Sequence, residues 1–116
     1  VVTDVENDIH SLLASYRLEQ NYPNPFNPST KISWQSPVGS HQVLKVFDVL
    51  GNKVATLVDE YKSAGRYEIE FNPSSINNHS SSGSSFQPVR NLVSGVYFCR
   101  LQTENYTKTI KMLYLK

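Results

Sequence analysis

Three histidines (His10, His41, His79), one cysteine (Cys99) and the carboxylates Asp48, Asp59, Glu60, Glu68 and Glu70 are the groups of this 116-residue chain that could bind a metal or move a proton. Their spacing argues against both. No His-x-x-x-His or Cys-x-x-Cys pair exists, so zinc-ligand spacing is absent. The histidines fall in three different kinds of segment and read as solvated single residues. Glu68 and Glu70 alternate with apolar residues, the pattern of charges that keep the outer face of a strand in water. Nothing marks an apolar pocket that would raise one carboxyl for glycosidase-type acid catalysis. The serine-rich run at 80–85 lacks the Gly-x-Ser-x-Gly elbow, and the five glycines sit in separate turns rather than in a phosphate-cradling loop. Cys99 has no second cysteine to pair with and no histidine close in sequence, so it reads as a small apolar strand residue. The expectation is a non-catalytic chain with no metal and no cofactor.

Composition narrows the class further. Eleven basic and ten acidic residues give a net charge of +1. A nucleic-acid binder needs a basic excess to displace counterions, so that partner is not expected. No apolar run approaches the ~20 residues of a membrane-spanning helix. The length fits one domain that buries about two-thirds of its unfolded surface. The chain begins at Val1 with no signal peptide, which reads as a fragment or processed product of a longer exported protein. Asn78-His-Ser and Asn105-Tyr-Thr match the glycosylation pattern, which is short enough to arise by chance.

The residues above must be carried by strands. Pro23, Pro25 and Pro28 exclude helix and push the residues before them toward extended geometry, giving a stiff lead-in. Alternation and turn residues predict strands at 16–20, 31–35, 41–49, 54–58, 66–71, 96–102 and 108–115. Ile32 and Trp34 share one face, as do Leu44 and Val46; Tyr67, Ile69 and Phe71 point inward against Arg66, Glu68 and Glu70 outward. Trp34, Tyr67 and Phe71 are therefore expected in a core rather than on a sugar-stacking surface. Gly51-Asn52 predicts a tight two-residue hairpin loop, and turns are expected at 37–40 and 63–65. Seven short strands without intervening helical segments predict an all-β, two-sheet antiparallel sandwich.

Two stretches depart from the rhythm. Residues 72–93 are rich in Ser, Asn and Gly, with too few apolar groups to offset their ordering entropy. They predict a long surface loop whose distal half Phe86, Val89 and Leu92 pin. Residues 1–17 read as a linker or the end of an upstream domain. At the other terminus, Lys108, Lys111 and Lys116 interleave with Ile110, Met112, Leu113, Tyr114 and Leu115. By themselves these lysines read as guards of an edge strand against unwanted pairing; the other reading is an address recognised by a partner.

The segments NYPNPFNPST, VFDVLGNKVATLV, AGRYEIEF, SGVYFCRL and KTIKMLYLK occur here in that order. Together they resemble the type A C-terminal sorting domain of bacterial type IX secretion cargo, a family related to the immunoglobulin-like domain of flagellar hook-capping proteins. The resemblance covers about residues 18–116, and the stretch around 79–91 looks inserted relative to it. It implies a seven-stranded immunoglobulin-like fold at 18–116 and a non-catalytic export signal at the C-terminus of a larger protein. It also implies passage through the periplasm to the cell surface or medium. The implied partners are an outer-membrane translocon, a shuttle protein and a cysteine-protease sortase, with cleavage near residues 1–20. The implied recognition residues are Gly65 and Tyr67, Gly95 and Tyr97, and Lys111, Met112, Leu113 and Lys116 of the terminal segment. The alternative is a structural immunoglobulin-like surface or assembly module that self-associates through an edge strand; a carbohydrate-binding module is the third reading.

Overall fold

A computed structural model describes residues 15–73 and 92–116. Residues 1–14 and 74–91, which hold most of the expected linker and of the expected long loop, lie outside the described residues. The described chain folds into β1 (Arg17–Leu18), β2 (Thr30–Ser36), β3 (Ser40–Phe47), β4 (Lys53–Lys62), β5 (Gly65–Phe71), β6 (Gly95–Gln102) and β7 (Thr107–Tyr114). They form a three-stranded sheet, β1-β2-β5, and a four-stranded sheet, β4-β3-β6-β7. Every strand pairing is antiparallel, as expected for an immunoglobulin-like sandwich.

Alternation builds this fold because successive strand residues face opposite sides of a sheet. On β5, Arg66, Glu68 and Glu70 are exposed while Tyr67, Ile69 and Phe71 turn inward. Ile32 and Trp34 of β2 meet Leu44 and Val46 of β3, Cys99 and Leu101 of β6, and Ile110, Met112 and Tyr114 of β7 in one buried cluster. A polar pair crosses that core: Trp34 Nε1–H donates to Gln42 Oε1 at 2.9 Å. Since β2 and β3 lie in different sheets, this bond ties the two layers together.

Two local expectations are corrected. The β3–β4 connection is not a two-residue loop. Asp48 N–H bonds Asn52 O and Gly51 N–H bonds Asp48 O, leaving three residues between Asp48 and Asn52. Gly51, at φ 89°, supplies the left-handed position that closes such a turn. The Asp48 carboxylate accepts from Leu50 N–H and Asn52 N–H, and these bonds, Asn52's first, hold its pKa below the usual range. Next, β4 runs to Lys62, beyond the apolar stretch that suggested its end. Register shifts around Leu57 and Val54 put Ala55, Thr56 and Val58 inside, so the strand does not show simple alternation. The chain does turn between Lys62 and Gly65, as expected, and there passes from one sheet to the other.

Candidate functional site

Among the described residues, several of the candidate side chains form surface ion pairs or stand on an outer sheet face. His41 Nε2 lies 2.6 Å from Asp59 Oδ1, and Lys62 Nζ lies 3.0 Å from Glu60. Glu68 and Glu70 stand opposite Ser33 and Lys31 on the outer face of the three-stranded sheet. Among the described residues no three His, Cys, Asp or Glu side chains group as a metal site. His10, His79 and the serines at 80–85 lie outside the described residues. Cys99 is fully buried, and that burial pushes its thiol up to about 12. A buried thiol is a poor nucleophile. We therefore expect a thiol-reactive dye to leave the native chain unmodified at pH 8 and to label it stoichiometrically in denaturant; rapid native labelling would show that the core opens.

The two Gly-x-Tyr elements share one construction. Gly65 and Gly95 both open a strand with φ 152°, a conformation that L side chains rarely adopt. Two residues on, each tyrosine sends its hydroxyl back to the carbonyl four positions earlier: Tyr67 to Ser63 O at 2.6 Å, Tyr97 to Val93 O at 2.7 Å. Each element is thus a corner in which glycine permits the bend and tyrosine ties it. A Cβ on Gly95 meets nothing within 4 Å, so its substitution is a matter of backbone strain. Gly95→Ala should lower stability by about 1–3 kcal/mol in urea unfolding, with Tyr97→Phe costing about 1 kcal/mol.

The structure does not bring the two corners together. Gly65 pairs with Ser36 at one end of β5, and Phe71 lies at the other. Phe71 packs near Phe26, which stacks on Tyr114 with ring centroids 5.1 Å apart. Gly95 pairs with Tyr114. Six strand residues span about 20 Å, so the Gly65 corner lies at the end of the sandwich remote from Gly95. Gly95, Tyr97, Lys111, Leu113 and Lys116 gather at the end where the chain terminates, and Lys116 N–H donates to Ser94 Oγ at 2.7 Å.

That end is half core and half surface. Met112 is fully buried opposite Tyr97, itself 5% exposed. Alternation turns 112 and 114 inward and 111 outward. Lys111, Leu115 and Lys116 are exposed and Leu113 is half-buried. Nearby project Val93 and, on the β3–β4 turn, Val49 and Leu50, the last of these 82% exposed.

The proline-rich lead-in does more than deliver the chain to β2. Its residues close the outer edge of β7. Phe26 N–H donates to Leu113 O, and Leu115 N–H donates to Phe26 O. Leu113 N–H donates to Asn24 Oδ1 at 2.9 Å, and Gln20 Nε2 donates to Lys111 O at 2.8 Å. The edge from Lys111 to Leu115 is occupied, and strand addition there requires displacing this clasp. The clasp escapes sequence reasoning because backbone groups on β7 carry no residue signature; Phe26, a large apolar residue among prolines, was the available signal.

The family described as the secretion system C-terminal sorting domain matches residues 20–78, just over half of the chain. Among solved structures, the chain is similar to dimeric latent PorU from Porphyromonas gingivalis, with a TM-score of 0.56 and 13% identity. That likeness covers 87% of this chain and 9% of PorU, and it is one of fold. Among curated proteins, none matches.

Proposed function

Since the chain belongs to the family of secretion system C-terminal sorting domains, which direct larger proteins out of the cell by type IX secretion, we propose that it is a non-catalytic address read at the end of the sandwich where the chain terminates. Residues 18–116 form the address, and the segment before them joins it to cargo delivered through the periplasm to the surface or medium. The partners are the translocon, shuttle protein and sortase of the secretion system.

One observation carries the choice of surface. Met112 and Tyr114 anchor β7 in the core while Lys111, Leu115 and Lys116 stand in solvent beside the Ser94–Gly95 corner. The terminal segment is thereby held rigid and displayed at once, which lowers the ordering cost of recognition. Gly65 and Tyr67 then serve to shape the remote corner rather than to touch the partner that reads Lys116. The test fuses the chain to a periplasmic reporter in a type IX-competent bacterium. The parent fusion should reach the medium or surface. Lys111→Glu with Lys116→Glu, folded as judged by thermal unfolding, should leave the reporter in the periplasm; unchanged export of that variant would refute the reading.

The structural-module reading has its own candidate edge in β4, which pairs only with β3 among the described residues. Its two register shifts twist that edge, a device that discourages pairing. Self-association of the isolated chain through Lys53–Lys62 across a concentration series would favour the module reading.

A further inference from the structure

The outer face of the four-stranded sheet carries a charge pattern that, Lys111 apart, the implied recognition residues do not include. Register places Lys53, Phe47, Phe98 and Lys111 in one row across β4, β3, β6 and β7. The neighbouring row holds Lys45, Arg100 and Thr109. None of these four cations forms an ion pair among the described residues. The carboxylates nearby are engaged: Asp48 in its turn, Asp59 with His41. The opposite sheet is balanced, with Arg17, Lys31 and Arg66 set among Glu19, Glu68 and Glu70. Because the whole chain carries only +1, this one face holds a local excess that the total conceals.

The face is also recessed. Phe47 and Phe98 are half-buried and floor a shallow depression of about 330 Å³ that Arg100, Asp48, Val49, Gly51 and Thr109 help to line. The Arg100 guanidinium is held over the Phe47 ring, 4.5 Å from its centroid. Stacking fixes the plane of the guanidinium and leaves its hydrogen-bonding edge for a carboxylate fork. An apolar floor with Arg100 at its rim, the Asp48 carboxylate tied into its own turn and Lys45, Lys53 and Lys111 on the same sheet face accepts protruding side chains that carry negative charge, which a protein surface supplies and a flat headgroup layer does not.

We infer that this face, centred on Phe47, Phe98, Lys45 and Arg100, docks an acidic protein surface during export. The inference rests on the sorting reading above and extends it to a second surface beside the chain terminus. The site lies on the flat of the sheet, so it needs no free edge and is compatible with the clasp on β7.

Lys45→Glu with Arg100→Glu tests it in the reporter fusion, with Arg66→Glu on the opposite sheet as the control. The double variant should cut export by roughly tenfold or more with an unshifted thermal midpoint, and Arg66→Glu should export as the parent does. Should charge reversal compromise folding, Lys45→Gln with Arg100→Gln should give a smaller loss in the same direction. For a direct probe, the purified chain should bind an immobilised glutamate–tyrosine copolymer, and the double variant should bind it roughly tenfold more weakly. Parental export of the double variant, while Lys111→Glu with Lys116→Glu is retained, overturns this inference and leaves the sorting reading standing. Export of both variants overturns both. Binding to phosphatidylglycerol vesicles that the same two substitutions abolish, with no binding to the copolymer, assigns the face to lipid and overturns the proposal.

Discussion

Phe26→Ala should lower unfolding stability by about 3–5 kcal/mol and free the last strand. Its ring is 1% exposed, stacked on Tyr114 and tilted against Phe71. Truncation leaves a cavity between the two sheets at the end where the terminus is displayed. The backbone of Phe26 simultaneously holds Leu113 O and Leu115 N–H. Once the ring no longer pins the segment, those bonds lose the order that maintains them. Amide exchange at Leu113 and Leu115 should therefore accelerate more than at Leu44 or Leu101 in the centre of the sheet. Tyr22→Ala, in the same segment but with a side chain 79% exposed, should change stability by no more than about 0.5 kcal/mol. Equal effects at the two positions would show that Phe26 does not anchor the clasp. If export depends on a rigidly displayed terminus, the folded fraction of Phe26→Ala should also be exported poorly.

Removing residues 111–116 should abolish cooperative unfolding altogether. The deletion takes away Met112 and Tyr114, both essentially buried, and every acceptor and donor that the clasp uses on β7. Large-to-small changes at single core sites cost about 2–5 kcal/mol, and a domain of this size holds about 5–15 kcal/mol in total. Losing two core side chains and a strand end consumes most of that margin. Circular dichroism should show a chain without a thermal transition. A retained cooperative transition within ~2 kcal/mol of the parent would mean that the terminal half of β7 is an appendage. The consequence for function is practical: failed export of such a truncation reports unfolding as much as lost recognition. Substitution of the exposed Lys111 and Lys116 separates the two, because their side chains contribute nothing to the core.

Much of this architecture was legible in the chain. Tyr67, Ile69 and Phe71 against Arg66, Glu68 and Glu70 announced the two faces of β5 without reference to any neighbour. Trp34 and Ile32 did the same for β2. Such alternation is a local property, because the pleat turns every second side chain to one side whatever the strand pairs with. The same local reading found no zinc-ligand spacing, since such pairs need short, regular intervals that His41 and Cys99 lack. It failed at β4, where bulges at Val54 and Leu57 shift the phase, and at the β3–β4 turn, where the Asp48 carboxylate supports a longer loop.

The amino-acid order by itself determined most of the strands, their inward faces and the ordered motifs of a sorting domain. Only the tertiary structure decided that β2 and β3 part into different sheets, that the two Gly-x-Tyr corners lie at opposite ends, that Met112 belongs to the core, and that Asn24 and Phe26 close the edge of β7. It also gathered Lys45, Lys53, Arg100 and Lys111 onto one face. The physical reason is range. Side-chain periodicity is written within a few residues, whereas pairing and edge closure join backbone groups, alike in nearly every residue, across as many as 89 positions from Phe26 to Leu115.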